Sequence, residues 1–233
     1  MYEEKIIPPK KAMPQAQDGT LRKFALRVPE VIYQCSGIMV FGKRIKSLVF
    51  STDLSIIKNV NADAIIAVYP FTPQPIITQA LLLAADIPVF AGVGGGLTKG
   101  QRVVNLAMFA EMQGATGVVL NAPTANTVVQ HVAETIDIPV VVTVARADTD
   151  FEARLQAGAN IFNVSAAAET PAIVRSIRER YPDVPIIATG GPTDESILET
   201  IRAGANAITW TPPTNGEIFR DIMAAYRDNK PHP

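Results

Sequence analysis

Consecutive apolar positions recur along the chain at 47–52, 64–70, 88–93, 117–121, 139–145, 160–165, 185–189 and 207–211. Each run is short and rich in Val, Ile and Phe. That is the pattern of a strand covered on both faces, not of one with a solvated side. Between the runs, apolar residues take helical spacing over 54–60, 74–85, 99–113, 125–136, 151–157, 171–180, 194–203 and 217–227. The punctuation repeats as well. "DIPVF" starts at Asp86, "DIPVV" at Asp137 and "DVPII" at Asp183. Interleaved with these are "GATGVVL" from Gly114, "GANIFNV" from Gly158 and "GANAITW" from Gly204, with "NADAIIAVYP" from Asn61 as a weaker form. Glycine ends a helix by taking a left-handed conformation, and proline cannot continue one. Each recurrence therefore marks a period of about two strand–helix units.

Eight alternations of strand and helix predict an α/β fold of the (β/α)8 TIM-barrel type over residues 47–233. A doubly wound open sheet would explain the alternation but not why the count stops at eight. Residues 1–46 fall outside the count and form an N-terminal extension. Within it "LRKFALRVPEVI" reads as a short helix broken at Pro29, and "SGIMVFG" as an extra strand. That strand either covers the barrel floor or pairs with another subunit.

Composition removes several classes. Hydrophobic residues are 48% of the chain, and 21 basic against 22 acidic residues give a net charge of -1. Nothing here attracts nucleic acid or an anionic membrane. A lone cysteine, Cys35, excludes an internal disulfide and any CxxC site. It lacks a basic neighbour and reads as an inert buried thiol. His131 lies mid-helix and His232 in the tail, so neither a His-based metal triad nor a Ser–His–Asp order is apparent. The polar, proline-bearing N-terminus has no apolar signal core, and apolar runs such as 80–85 are far shorter than a membrane span. The expectation is a cytoplasmic protein that meets neither membrane nor nucleic acid and forms a homo-oligomer through its extension.

In a barrel of this kind function sits where the strands end. The ends read here are polar but uncharged: Thr52, Tyr69, Thr72, Asn121, Thr124, Thr143, Asn163, Ser165, Thr189, Thr209 and Thr211. Such groups orient a ligand more readily than they move protons near neutral pH. The acids are Asp53 and Asp148. Asp53 is either a base or metal ligand, or simply the cap of the helix at Leu54, and Asp148 belongs to a surface loop. Two carboxylates with hydroxyls could take Mg²⁺, although the spacing specifies no metal ligands. Trp210 is either a lid or a packing residue.

Two glycine loops could hold an anion. "GVGGGLTKGQR" offers the amides of Gly94, Gly95 and Gly96, with Thr98 as a helix cap and Lys99 and Arg102 in the first turns. It matches neither the P-loop nor the dinucleotide spacing. "PIIATGGPTDES" places Thr189, Gly190 and Gly191 before a helix that Thr193 can cap. The segment 137–208, through "DVPIIATGG" and the following "AGA", resembles the phosphate-binding barrel enzymes, most of all the 2-keto-3-deoxy-phosphogluconate aldolases. The resemblance implies a substrate phosphate on Gly190 and Gly191. It departs from those aldolases at Asn163, where they carry a Schiff-base lysine, so the imine route is closed here. It departs again at Trp210-Thr211-Pro212-Pro213, where two prolines have no amide to donate.

These readings predict an enzyme for a small phosphorylated or carboxylated metabolite: a lyase, isomerase or hydrolase. Asp53, Asn121 and Asn163 would act on the substrate. Gly94, Gly95, Lys99, Arg102, Thr189, Gly190, Gly191 and Thr211 would hold its anionic groups. A non-catalytic sensor barrel is the alternative. A third is an FMN-binding oxidoreductase with the flavin phosphate at Gly190-Gly191.

Overall fold

A computed structural model describes residues 26–230. Eight parallel strands close into a barrel: β3 (Ser47–Phe50), β4 (Ala64–Ala67), β5 (Val89–Gly94), β6 (Gly117–Leu120), β7 (Val140–Val144), β8 (Ile161–Val164), β9 (Ile186–Thr189) and β10 (Ala207–Trp210). β10 pairs with β3 in register Ile208 with Ser47, which completes the ring. Helices follow the strands in order: α1 (Leu54–Lys58), α2 (Pro75–Ala84), α3 (Gln101–Met112), α4 (Asn126–Ala133), α5 (Phe151–Gln156), α6 (Thr170–Arg180), α7 (Asp194–Arg202) and α8 (Asn215–Arg227). The predicted barrel is therefore present strand for strand.

Two separate apolar layers result from strand alternation. Outward residues such as Val49, Ile65, Val142 and Ile208 pack under the helices. Inward residues Leu48, Ile66, Phe90, Val119, Val141, Ile161 and Ile187 fill the barrel. Small residues make room for large ones. A Cβ on Gly117 would lie 2.7 Å from the fully buried ring of Phe90.

The extension differs in detail from its sequence reading. Residues 1–25 lie outside the described part. The expected helix is absent over 26–29: Leu26 bridges to Val60, and a single 3-10 turn (Glu30–Gln34) starts only after Pro29. The extra strand is half of a hairpin, β1 (Ile38–Val40) against β2 (Lys43–Ile45). Its two-residue turn puts Phe41 at φ 46 and Gly42 at φ 77. Matched positive φ values suit a tight hairpin, but a Phe there is uncommon and hides the turn from a sequence reading. Ile38, Val40 and Ile45 join the inner apolar layer, so the hairpin stops the barrel floor.

The repeated "GAN" motif has a structural cause. At the feet of β4, β8 and β10 its third residue accepts the first amide of the strand before it, whereas the copy before β6 has Thr116 in that place. Asn160 Oδ1 takes Val140 N at 2.8 Å, and Asn206 Oδ1 takes Ile186 N at 2.9 Å. Asp63, in the weaker copy, takes Lys46 N and Ser47 N at 2.9 and 3.0 Å. Asn206 is the most connected of the three. It also accepts from Arg178 at 2.7 Å and donates to Ser36 Oγ at 2.9 Å, tying β9, α6 and the extension together.

α8 is the loosest helix, since it buries no residue fully and leaves Phe219 and Tyr226 exposed. Cys35 is buried, and burial pushes its thiol up to about 12, which agrees with an inert role. Among the described residues no helix is long and apolar enough to cross a membrane.

Asn206→Ala strands one half-buried amide and part of a guanidinium, and should cost about 1–3 kcal/mol. Asn160→Ala strands one amide and should cost less. Urea unfolding of the two variants checks the order, and equal stabilities would refute the network role of Asn206.

Candidate functional site

Above the apolar filling, the inward positions of β7–β10 turn polar. Thr143 pairs in register with Asn163, and Thr189 with Thr209. Asn163 is buried and its amide donates to Thr143 Oγ1 at 3.3 Å, while Thr189 donates to Val164 O at 3.1 Å. The Thr209 hydroxyl is buried without a partner among the described residues. On the opposite side Phe50, Val68 and Gly92 are apolar or bare, and Asn121 after β6 is polar.

Three cavities open among the loops after the strands. The first, about 220 Å³, lies over β4–β6 and is lined by Tyr69, Phe71, Gly94, Gly96, Thr98 and Asn121 among others. The second, about 540 Å³, shares Tyr69 and Asn121 with it and continues to Asp53, Thr211 and Asn215. The third, about 630 Å³, lies across the mouth between Ser165, Thr189, Gly190, Gly191 and Glu199. The predicted site residues are thus divided. Asp53, Asn121 and Thr211 share one cleft, with Gly94 beside it. Thr189, Gly190 and Gly191 line another. Asn163 lies deeper in the barrel. Lys99 on the β5 loop and Arg102 in the first turn of α3 are exposed and line none of the three.

The β5 loop is held down at Gly95, which has φ +98, where a Cβ would fall 2.0 Å from Thr124 Oγ1 and 2.7 Å from Asn121 O. A bulge between Gly92 and Gly94 turns the strand end there. Gly95 donates its own amide to Thr98 O at 3.0 Å, whereas the amides of Gly96, Leu97 and Thr98 meet no acceptor among the described residues. Thr98 does not cap α3, as its sequence suggested. Gly100 is the N-cap, so the helix starts two residues later than Lys99. Freed from capping, Thr98 lines the first cavity, and its hydroxyl is buried with no partner among the described residues. A buried hydroxyl is rarely left so.

At the β9 loop the glycines serve packing and turning. A Cβ on Gly190 would meet Ile197 at 2.7 Å and Ile208 at 2.8 Å, and Gly191 takes φ +80. Thr193 caps α7 as expected, in a reciprocal box with Ser196. The first turn of α7 carries Asp194 and Glu195, and Glu199 faces the cavity.

Asp53 is the N-cap of α1. Its Oδ1 accepts from Ser55 Oγ at 2.7 Å, Ser55 N at 2.8 Å and Ile56 N at 3.3 Å, and its Oδ2 accepts from Asn215 Nδ2 at 2.5 Å. The Ser55 hydroxyl, aided by the two amides, holds the carboxyl below the usual carboxylate range against a smaller opposing effect of burial. Asp148 is an exposed loop residue whose oxygens take Arg146 Nε at 2.9 Å and Nη2 at 2.6 Å. His131 is exposed on α4, and Trp210 is half-buried against the outer apolar layer, which favours packing over a lid. His232 lies outside the described residues. Sequence reasoning missed Asn215, which reaches Asp53 across 162 positions, and the inward turn of Thr98. No local signal marks either one.

No protein-family model and no curated protein matches the chain. Solved structures do. A phosphonopyruvate hydrolase complexed with oxalate and Mg²⁺ is 12% identical, over 80% of this chain and 84% of its own, with a TM-score of 0.59. A putative phosphonomutase from Burkholderia cenocepacia J2315 is 14% identical, over 78% and 93%, with a TM-score of 0.60. The 2,3-dimethylmalate lyase, a member of the PEP mutase/isocitrate lyase superfamily, is 12% identical, over 86% and 86%, with a TM-score of 0.59. Likeness at this level shows the barrel fold and no more. The resemblance to 2-keto-3-deoxy-phosphogluconate aldolases stays a likeness of residues 137–208. Among the described residues no three His, Cys, Asp or Glu converge, and the oxygens of Asp53 already accept four hydrogen bonds.

Asp53→Ala removes a cap and should cost about 1 kcal/mol at neutral pH. The carboxyl is depressed on folding, so its contribution is present above the unfolded value of ~3.9 and fades as pH falls through the lower folded value. Thermal unfolding of both proteins from pH 7 into the acid range should show the difference shrinking. A constant difference would mean that the charge plays no part.

Proposed function

We propose that the chain is an enzyme of the lyase or hydrolase type for a small carboxylated or phosphorylated metabolite, bound over β4–β6 under the "GVGGGLTKGQR" loop. One observation carries the reading. Thr98 lines a cleft of about 220 Å³, and its hydroxyl is buried there without a partner among the described residues. That volume suits a compound of a few carbons. Asn121 and Tyr69 stand in both the first and second cavities and can orient such a ligand along the cleft. Charge favours this loop over the other. Residues 94–102 carry Lys99 and Arg102 and no acid, whereas the β9 loop leads into Asp194 and Glu195. An anion gains at the first and is repelled at the second. Barrels of the same fold carry small acids in their names, phosphonopyruvate and dimethylmalate, which supports the substrate class.

A second reading, a barrel that binds the metabolite without turning it over, is favoured by the acids of the mouth. Asp53 and Asp148 are both shifted down, not up toward neutrality, so neither is poised as a general base.

The test is thermal unfolding with 2-oxo acids, oxalate, sugar phosphates and inorganic phosphate. A ligand at about 100 times its Kd adds ~2.7 kcal/mol. Thr98→Val and the pair Lys99→Ala with Arg102→Ala should each shrink the shift, measured from the variant's own ligand-free midpoint, while Gly191→Ala should not. The reverse pattern would move the site to the β9 loop. Phosphorus and proton NMR of the stabilising compound then separates turnover from binding alone.

A further inference from the structure

The outer face of α2 and α3 is unlike the rest of the surface. From Ala64 to Ala85 the chain carries no charge at all. α2 nevertheless shows solvent Ile76 (67% exposed), Ile77 and Leu83 (80%), and α3 shows Met108, Phe109 and Met112 (76%). Phe71 and Leu97 extend this face onto the loops above, each more than two-thirds exposed. The acid of α3 points elsewhere, because Glu111 accepts from the amides of Asp137 and Ile138. Other helices look ordinary. α6 carries Arg175, Glu179 and Arg180, and on α8 the exposed stripe of Phe219, Met223 and Tyr226 is narrow and flanked by Arg220 and Arg227.

Large apolar side chains hold on the order of 200 Å² each. The exposed parts of these eight therefore amount to roughly 1,000 Å², beyond the ~300–600 Å² patch of a typical monomer. A stable dimer buries ~800 Å² on each partner. We propose that this face receives a second copy of the chain, related by a two-fold axis, with α2 and α3 of each copy packed on those of the other. The size of the face selects this occupant. Its centre on α2 carries no charge and meets itself without burying an unpaired ion, while Lys99 and Arg102 stand at the Leu97 edge, where they can stay in water. A membrane surface would favour interfacial Trp and more basic residues than Lys99 and Arg102, and the single Trp of the chain sits elsewhere, on β10.

The face is continuous with the cavity of the proposed site, since Phe71 and Leu97 belong to both. The second copy therefore adds a wall to the rim and shields that cavity from water. This part rests on the reading given under Proposed function, while the dimer itself does not.

Sedimentation equilibrium of the full chain should show a species of twice the 25.0 kDa chain mass. Leu83→Asp with Met112→Asp should abolish it and keep the far-ultraviolet circular dichroism of the wild type. Phe219→Asp on α8 should leave the dimer intact. A wild type that is monomeric at all concentrations, with or without lipid vesicles bound, overturns the proposal. So does a dimer that survives the double variant but not Phe219→Asp. If the double variant is monomeric and folded, it should also bind the stabilising compound more weakly. Equal binding overturns the shared wall and leaves the dimer standing. Failure of every compound to bind the wild type counts against the site alone, because the mass measurement needs no ligand.

Discussion

Every strand of a closed parallel barrel begins with an amide that needs an acceptor, and at the foot of this barrel three side chains supply one. Asp63, Asn160 and Asn206 reach back to the strand before their own and accept its first amides. The rest of the lower half is organised around that requirement. Arg178 converges on Asn206 and on the carbonyls of Gly204 and Val184, and the extension is bound to the same Asn206 through Ser36. The β1–β2 hairpin then fills the floor with Ile38, Val40 and Ile45. An amide left unpaired in a buried ladder costs as much as a lost core contact, which is a sufficient reason for Asn or Asp at these positions.

With the lower half stitched and stopped, ligand access is left to the other end. There the inward positions change from Ile and Val to Thr and Asn, and the loops carry three cavities. Their chemistry is one of orientation. Asp53 spends its oxygens on Ser55, Ile56 and Asn215 and thereby fastens the start of α1 to the start of α8. Arg154 binds the carbonyls of Thr124 and Ala122, which fixes the loop on which Asn121 and Gly95 rest. The charged groups near the mouth are thus largely structural, and apart from Asp53 and Glu199 the polar side chains lining the cavities are hydroxyls, amides and a phenol.

The two glycine loops show how similar sequence features part in space. Both combine glycines with a threonine and a helix. At β9 the threonine caps the helix and acids occupy the first turn. At β5 the cap falls to Gly100, Thr98 turns inward, and the following charges are positive. The resemblance to phosphate-binding aldolases directs attention to the first loop, and packing directs it to the second.

The amino-acid sequence alone determined the eightfold alternation, because a strand buried on both faces must be apolar throughout and a helix must end at Gly or before Pro. It also carried the foot motif, legible as a repeat but not as a hydrogen bond. The turn of the floor hairpin, the contact of Asp53 with Asn215, the inward turn of Thr98 and the shared rim of Phe71 and Leu97 were decided only by the tertiary structure. Each depends on chain segments that closure of the barrel brings together, or on a side-chain direction that local propensity leaves open.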